Sequence, residues 1–212
     1  MSEYEILGAL FWRHGHKDRA YELIFDPPLL HGQDHLRNQI KHAIKIYGPP
    51  RIIISSPMYR TLQTSKIMQE LCKELGHEVN IRIDVNLHEY ENTIIKPILL
   101  STETREYYPN GINETNSGDL LRRLKYIINQ LIVDNHEVPD LSSGNKWIVT
   151  HGSLIKKLSA MSNYKLKRIE EGSSIYLNFK IYSDVDGEIN IIDNIISHRE
   201  TDGLTDPPPF KN

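Results

Sequence analysis

The sequence predicts an α/β fold: a three-layer, doubly wound, mostly parallel sheet with helices on both faces and an antiparallel edge. Three observations predict it. Short apolar runs are typical of strands buried on both faces. These runs alternate with segments of helical periodicity. A late pair of β-rich segments flanks Asp186-Gly187, which is a strong hairpin signal.

Four strands are predicted before that hairpin. The first is the apolar run 6–12, and the second is 51–56, which Pro57 stops. Alternation of Ile81, Ile83 and Val85 predicts the third strand, and residues 147–149 predict the fourth. The hairpin strands are expected at 175–182 and 189–196.

Four helices are predicted between these strands. The first lies between Leu36 and Tyr47, and the second begins at Tyr59 and ends before Gly76, a plausible C′ residue. The other two are predicted by apolar stripes: Leu121, Leu124, Ile128, Leu131 and Ile132 for the third, and Leu154, Ile155, Leu158 and Met161 for the fourth. Cys72 falls on such a stripe and is expected in the core.

The chain is predicted to form a single domain over residues 1–203, followed by a flexible tail at 204–212. Within that domain, residues 91–118 are polar and irregular and contain Tyr107-Tyr108-Pro109. A long insertion after a strand is typical of a lid or specificity loop, and Arg105, Tyr107 and Tyr108 are expected to cover a pocket.

Composition restricts the classes of function. A formal net charge of −3 over 212 residues does not support a nucleic-acid binder, which is usually basic. No stretch is long and apolar enough to be a transmembrane helix, and the N-terminus lacks the basic start of a signal peptide. A single cysteine cannot form an internal disulfide. We therefore expect a cytoplasmic protein; oligomeric state is unreadable from the sequence.

Charged side chains follow each of the four strands. Arg13-His14 follows the first strand and Arg60 the second, Glu89 comes after the third, and His151-Gly152 follows the fourth, before a helix. In an open α/β sheet, ligands bind beyond the carboxyl ends of the strands. Guanidinium groups and helix N-termini bind phosphoryl oxygens, so a phosphate pocket is expected there.

This set contains more than a binding site needs. A neutral imidazole can attack phosphorus and form a covalent intermediate. A carboxyl group near the leaving oxygen can protonate it and then deprotonate the attacking water. Arginine and histidine can supply the positive field, so no metal and no cofactor is required.

The motifs that carry this argument resemble the histidine phosphatase superfamily, the phosphoglycerate mutase-like enzymes, in its larger branch. Residues 13–15 match the R-H-G signature, and residues 55–65 closely resemble S-S-P-x-x-R-T-x-Q-T-A. Residues 87–89 look like L-x-E, and residues 149–152 resemble the second histidine motif. Glu114-Thr115 with Arg122 is similar to the family's G-E-S…R helix start, with Asn113 in place of glycine. These motifs occur in family order.

The resemblance implies a histidine acid phosphatase-like phosphohydrolase. His14 would be the phosphorylated nucleophile and Glu89 the proton donor. Arg13, Arg60 and His151 would bind the phosphoryl oxygens, with Gly152 at the helix start.

The chain departs from the family after R-H-G, where relatives often have E-T-x-x-N. His16-Lys17-Asp18-Arg19 stands there instead, so His16 and Arg19 are further candidates for phosphate binding.

Three alternatives remain open. His14-Gly15-His16-Lys17-Asp18 also fits the H-x-H-x-D of metal-dependent hydrolases, but that pattern leaves Arg13 unexplained and lacks its final histidine. A non-catalytic module that binds phosphorylated ligands would keep the same residues. A phosphoglycerate mutase would usually continue L-x-E with an arginine and a glycine that this chain lacks.

The expected substrate is a small phosphorylated metabolite or a phosphoprotein, and the motifs do not distinguish the two. His14 must be neutral to attack while Glu89 must carry a proton to donate. We therefore expect a bell-shaped pH profile with an acidic to near-neutral optimum.

Overall fold

A computed structural model describes residues 4–21, 26–89, 93–114, 120, 122–130, 146–160, 166, 168–183 and 189–200. Its centre is a six-stranded sheet of β1 (Tyr4–Arg13), β2 (Ile52–Ser55), β3 (Asn80–Ile83), β6 (Lys146–Thr150), β7 (Ser174–Ser183) and β8 (Ile189–Glu200). These strands lie in the order β3-β2-β6-β1-β7-β8. The first four in this order run parallel, and β7 and β8 pair antiparallel at one edge. This topology confirms the predicted fold class.

Helices cover both faces of the sheet. They are α1 (Asp34–Tyr47), α2 (Tyr59–Glu74), α4 (residues 122–130) and α5 (Gly152–Ala160). A further short helix, α3 (Thr102–Tyr107), lies in the insertion. One apolar cluster joins the sheet to α4 and α5, and a second joins it to α1 and α2. Each cluster is the buried interface between the sheet and one of the two helical layers of a three-layer α/β structure.

The side chains of β1 alternate between these two clusters. Ala9 and Phe11 belong to the α4 and α5 face, whereas Leu10 and Trp12 belong to the α1 and α2 face. All four residues are fully buried, and the Trp12 ring packs 5.1 Å from that of Trp147. Because neither face of this strand meets water, its sequence is continuously apolar rather than alternating.

The second helix ends as its sequence predicts. The C-cap of α2 is Leu75, and Gly76 adopts a φ of 85° at the C′ position. The Gly76 and His77 N–H groups donate to carbonyls of the last turn, those of Lys73 and Cys72. Glycine reaches this left-handed conformation without steric cost, so it stops the helix here. Cys72 is buried in the core, as expected.

The insertion is more regular than its sequence suggested. Its described part, residues 93–114, contains a two-stranded antiparallel sheet of β4 (Thr93–Ile95) and β5 (Ile112–Glu114), together with α3. The expectation of an irregular segment was therefore wrong for this part. A small separate core of Met58, Ile95, Leu100 and Ile112 holds the segment against the start of α2.

Several boundaries differ or fall outside the description. Val85 begins a 3-10 turn rather than ending β3, because the Asp84 carboxylate accepts the Asn86 N–H at 2.8 Å and caps that turn. The predicted positions that lie outside the described residues include Thr115, the other insertion residues 91–92 and 116–118, Leu121, Leu131, Ile132, Met161, the turn at Asp186-Gly187, and the tail. In the described parts of the chain, no helix combines the length and apolar character needed to cross a membrane.

Candidate active site

The carboxyl ends of β1, β2 and β6 bring three of the motifs together. Arg13 of β1 lies beside Thr150 of β6, and Ser55 of β2 lies beside Val149. Backbone hydrogen bonds continue the sheet one residue further. The His14 N–H donates to Thr150 O at 3.1 Å, and the Ser56 N–H donates to Val149 O at 2.9 Å. The loops that leave these strands therefore begin next to one another.

His14 is buried, and its tautomer follows from its hydrogen bond. Its Nδ1 lies 2.8 Å from Gly15 O, a carbonyl that can only accept, so Nδ1 carries the proton. The Nε2 atom then holds the free lone pair. This is the nitrogen that a nucleophilic histidine needs.

The surroundings of His14 keep its ring neutral. Burial lowers the pKa of this imidazole well below 6.5, and the nearby guanidinium of Arg60 lowers it further. The hydrogen bond to Gly15 opposes these effects, while the charges of Arg13 and Lys17 add smaller contributions in the same direction as burial. The ring is therefore neutral at neutral pH, with its single proton on Nδ1.

Gly15 lies where a side chain does not fit. Its N–H donates to Thr64 Oγ1 at 3.0 Å, which ties the loop to α2. A Cβ at this position would lie 2.5 Å from Gln33 Oε1 and 3.0 Å from Leu36 Cδ2. The Gln33 amide is itself held by the carbonyl oxygens of His16 and Leu30. The R-H-G glycine is thus required by close packing.

His151 is fully buried and lies opposite His14, with ring centroids 5.4 Å apart. An Arg60 N–H donates to its Nδ1 at 3.2 Å, so the ring proton is on Nε2, 3.1 Å from Ser56 Oγ. Burial lowers the pKa of His151 well below 6.5, followed by the charge of Arg60 and by the neighbouring histidines His14 and His88. Two neutral imidazoles therefore face each other.

Arg60, in the first turn of α2, connects the other groups. Besides His151, its guanidinium contacts two carboxylates: Asp26 at 3.1 Å and Glu89 in a short hydrogen bond. Glu89 is partly open to solvent, with 26% of its side chain exposed, and lies 3.9 Å from His151 Nδ1. The predicted acid, one predicted clamp and the second histidine are therefore in direct contact.

Asp26 is a site residue that sequence analysis did not find. Its carboxylate is fully buried and accepts from Arg60, from the Tyr59 N–H at 2.9 Å, and from the hydroxyls of Ser101 and Thr104. It therefore joins the start of α2 to the insertion. Its only sequence signal is an aspartate before Pro27-Pro28, which predicts a turn and not a partner for Arg60.

Arg13 is held by the segment before β7. Its guanidinium donates to Ile169 O at 2.7 Å and to Glu171 Oε1 at 3.1 Å, and Glu171 was not among the predicted residues. A Cβ on Gly152 would lie 3.2 Å from Arg13 Nε. Glycine at the start of α5 therefore allows the guanidinium to pack against the helix N-terminus, where the helix dipole is positive.

The two further candidates, His16 and Arg19, are both exposed. His16 is exposed and packs edge-on against His35 with ring centroids 5.6 Å apart, and Arg19 lies in an exposed turn. Within the described residues, neither side chain shares a hydrogen bond with the cluster around Arg60. In the same parts of the chain, no three His, Cys, Asp or Glu side chains form a group that could hold a metal ion.

The chain has solved structural neighbours at low sequence identity. They include a phosphoglycerate mutase from Bacillus anthracis (TM-score 0.56, 15% identity, covering 89% of this chain and 92% of that chain). A mycobacterial glucosyl-3-phosphoglycerate phosphatase matches with a TM-score of 0.53 and 20% identity, over 84% of this chain and 91% of that one. The protein histidine phosphatase SixA, solved with tungstate, matches with a TM-score of 0.53 and 13% identity over 88% and 94%.

These likenesses show the fold. It is the α/β fold of the phosphoglycerate mutase-like and histidine phosphatase proteins, as the motif resemblance implied. No protein-family model and no curated protein sequence matches the chain.

Proposed function

We propose that this chain, which has the fold of the phosphoglycerate mutase-like phosphatases and mutases, is a phosphomonoester hydrolase acting through a phosphohistidine at His14. One observation carries the proposal: Arg60 hydrogen-bonds both His151 and Glu89, and the His151 ring lies 5.4 Å from that of His14. A nucleophile, an anion clamp and a proton donor thus meet around one position.

The first step transfers the phosphoryl group to His14. The lone pair of Nε2 attacks phosphorus, a P–N bond forms and the ester P–O bond breaks. Glu89 gives its proton to the leaving oxygen. Arg13, Arg60 and His151 hold the non-bridging oxygens, and the Gly152 N–H at the start of α5 adds a donor.

Substrate charge favours the required state of Glu89. Without a phosphoryl group, this carboxylate contacts the Arg60 guanidinium. A dianionic phosphoryl group takes over the Arg60 N–H group and places negative charge beside the carboxylate, which favours its protonated form. Substrate binding would in this way prepare the acid.

The second step returns the enzyme to its starting state. Glu89, now a carboxylate, takes a proton from a water molecule whose oxygen attacks phosphorus. The P–N bond breaks, phosphate leaves, and His14 recovers its lone pair. Because the proton stays on Nδ1, hydrogen-bonded to Gly15 O, throughout, His14 needs no proton transfer of its own.

The test is release of phosphate from 4-nitrophenyl phosphate. His14→Ala should reduce the rate by ~10³-fold or more because the covalent route is lost. His77→Ala, which removes an exposed histidine after α2, is the matched control and should keep the rate. Quenching the wild-type reaction of ³²P-labelled substrate in alkaline detergent should trap labelled phosphate on the chain, and later acid treatment should release it.

The same assay separates the alternatives. A phosphoglycerate mutase would transfer the phosphoryl group among phosphoglycerates when primed with bisphosphoglycerate, and water would be a poor acceptor. A binding module would hold phosphate without turnover. Either result would refute the hydrolase. A panel of phosphometabolites and phosphopeptides then identifies the substrate class.

A further inference from the structure

The two adjacent serines after β2 make different contacts beside the candidate active site. Ser55 Oγ donates to the Ser56 carbonyl at 2.9 Å and not to a histidine. Ser56 Oγ instead lies 3.1 Å from His151 Nε2. Both serines are fully buried, so water does not replace a hydrogen bond that either of them loses. Ser56 is thus the partner of the ring nitrogen that Arg60 does not contact.

Ser56 Oγ accepts hydrogen bonds from two N–H groups. An Arg60 N–H donates to His151 Nδ1 at 3.2 Å, so the ring proton is on Nε2 and points to Ser56 Oγ. The Met58 N–H, at the start of α2, also donates to this oxygen, at 3.4 Å. Two donors hold the hydroxyl oxygen as an acceptor. Ser56 therefore fixes the Nε2 proton, and Nδ1 is the nitrogen left for other partners.

Nδ1 of His151 lies among the groups that hold the phosphoryl group in the proposed reaction. It is 3.2 Å from the Arg60 guanidinium and 3.9 Å from Glu89 Oε2. A phosphoryl group that takes over the Arg60 N–H places an oxygen beside Nδ1, and both atoms then carry lone pairs. Two acceptors in a buried site repel each other unless one of them gains a proton. A proton on Nδ1 turns the contact into a charge-assisted hydrogen bond.

The charges around His151 determine when it takes that proton. Without a ligand, burial lowers the pKa of His151 well below 6.5 and the charge of Arg60 lowers it further, so the ring is neutral. A phosphoryl dianion brings two negative charges next to Nδ1 and favours the imidazolium form. Binding of the anion and uptake of a proton are thus linked. The titratable and charged groups around the ring are Arg60 on α2, Arg13 and His14 at the end of β1, and His88 and Glu89 after β3.

We propose that Ser56 is a positioning residue: it accepts the Nε2 proton of His151, so that the ring binds the phosphoryl dianion with a second proton, on Nδ1. This proton comes from solvent and bonds to the Nδ1 lone pair, and it returns to solvent when phosphate leaves. The place of the phosphoryl group, beside Arg60 and the two histidines, is that of the proposed function, on which this role of Ser56 rests.

The experiment is a titration of the wild-type chain with sulfate at about pH 8, followed by the ¹⁵N NMR signals of the histidine rings. Sulfate is a tetrahedral dianion that brings no proton of its own. The ring signals of His151 are identified by their loss in His151→Gln. Without sulfate we expect one protonated nitrogen, Nε2. With saturating sulfate we expect two protonated nitrogens, because the dianion favours the cation.

Two serine variants separate positioning from packing. Ser56→Ala leaves the Nε2–H group buried without its acceptor, so sulfate should bind about tenfold more weakly and the ring should keep one protonated nitrogen. Ser55→Ala removes the hydroxyl of an equally buried neighbour that does not contact His151. Thr61 Oγ1 still donates to the Ser56 carbonyl at 2.7 Å in that variant. Ser55→Ala should therefore leave the sulfate midpoint and the ring signals nearly unchanged.

Three results would overturn the proposal. The first is a single protonated nitrogen on His151 at saturating sulfate, and the second is no saturable change at this ring up to about 50 mM sulfate. The third is equal weakening of sulfate binding by the two serine variants. The first two measurements use a chain that keeps Ser56, so they decide even where Ser56→Ala does not fold. Phosphate release from 4-nitrophenyl phosphate is measured separately, so failure of the hydrolase and failure of the Ser56 role give different results.

Discussion

Replacing Asp26 by alanine should destabilise the protein and loosen its phosphate clamp together. The Asp26 side chain is fully buried, and Arg60, its ion-pair partner at 3.1 Å, is 3% exposed. Removing the carboxylate leaves a buried guanidinium with one counter-ion fewer. It also takes the acceptor away from the Tyr59 N–H and from the hydroxyls of Ser101 and Thr104.

The expected cost follows from these contacts. At 3.1 Å and an effective dielectric constant of about 20, the pair attracts by about 5 kcal/mol before desolvation. Breaking a buried pair typically costs about 3–5 kcal/mol. Glu89 remains as a second carboxylate on Arg60, so we expect a loss near the lower end, about 3 kcal/mol.

Urea denaturation measures the free energy of unfolding, with Glu106→Ala as the control. Glu106 is an exposed carboxylate on α3, and its removal should change stability by less than about 0.5 kcal/mol. Asp26→Asn keeps the shape and should lower kcat/KM about tenfold or more if the charge positions Arg60. A loss below about 1 kcal/mol for Asp26→Ala would refute the assignment of a buried, paired carboxylate.

Three further predictions follow from the same site. Burial lowers the pKa of both site histidines well below 6.5, so as pH falls the unfolded chain protonates them at a higher pH than the folded chain does. The free energy of unfolding should therefore fall as pH drops below 6.5. The slope of the free energy of unfolding against pH can reach about 2.7 kcal/mol per pH unit for two such groups. Gly15→Ala should destabilise by about 1–3 kcal/mol, because its Cβ would lie 2.5 Å from Gln33 Oε1. Glu171→Gln should lower kcat/KM by freeing Arg13, with a stability loss of less than about 1 kcal/mol since the pair is partly exposed.

Each of these has its own control. The pH slope between 5 and 6.5 should decrease in a His151→Gln variant, and an unchanged slope would contradict neutral burial. Combining Gly15→Ala with Gln33→Ala should restore part of the lost stability, and simple additivity would show that the two do not clash. Glu170→Gln removes an exposed partner of Arg168 and should leave activity unchanged; an equal loss in both glutamine variants would remove the special role of Glu171.

The sequence predicts the central sheet because its signal is local. The apolar run of β1 can be buried only between two layers, and the alternation of strands with helices then imposes parallel pairing. Predicting that His14, Arg60, Glu89 and His151 meet required one more rule, that parallel strands end at the same edge. Arg60 contacts Glu89 and His151, and the His14 ring lies 5.4 Å from that of His151, in agreement with that rule.

The residues that sequence analysis missed act only through tertiary contacts. Asp26 and Glu171 lie in loops with no periodic pattern, and their partners, Arg60 and Arg13, are 34 and 158 positions away. The same holds for the insertion, where short strands are stabilised by packing on Met58 rather than by their own length. Nothing in the local sequence records such distant partners.

The buried Asp26 carboxylate also limits how this protein can be redesigned. Its oxygens contact both Arg60 and the Ser101 and Thr104 hydroxyls at the start of α3. An exchanged insertion that lacked hydroxyls at these two positions would remove two donors from a buried charge, so a change intended to alter ligand choice would also move the arginine. A transplanted loop must therefore begin its helix with Ser-x-x-Thr. The insertion can be replaced only by a segment that keeps these two hydroxyl donors to Asp26.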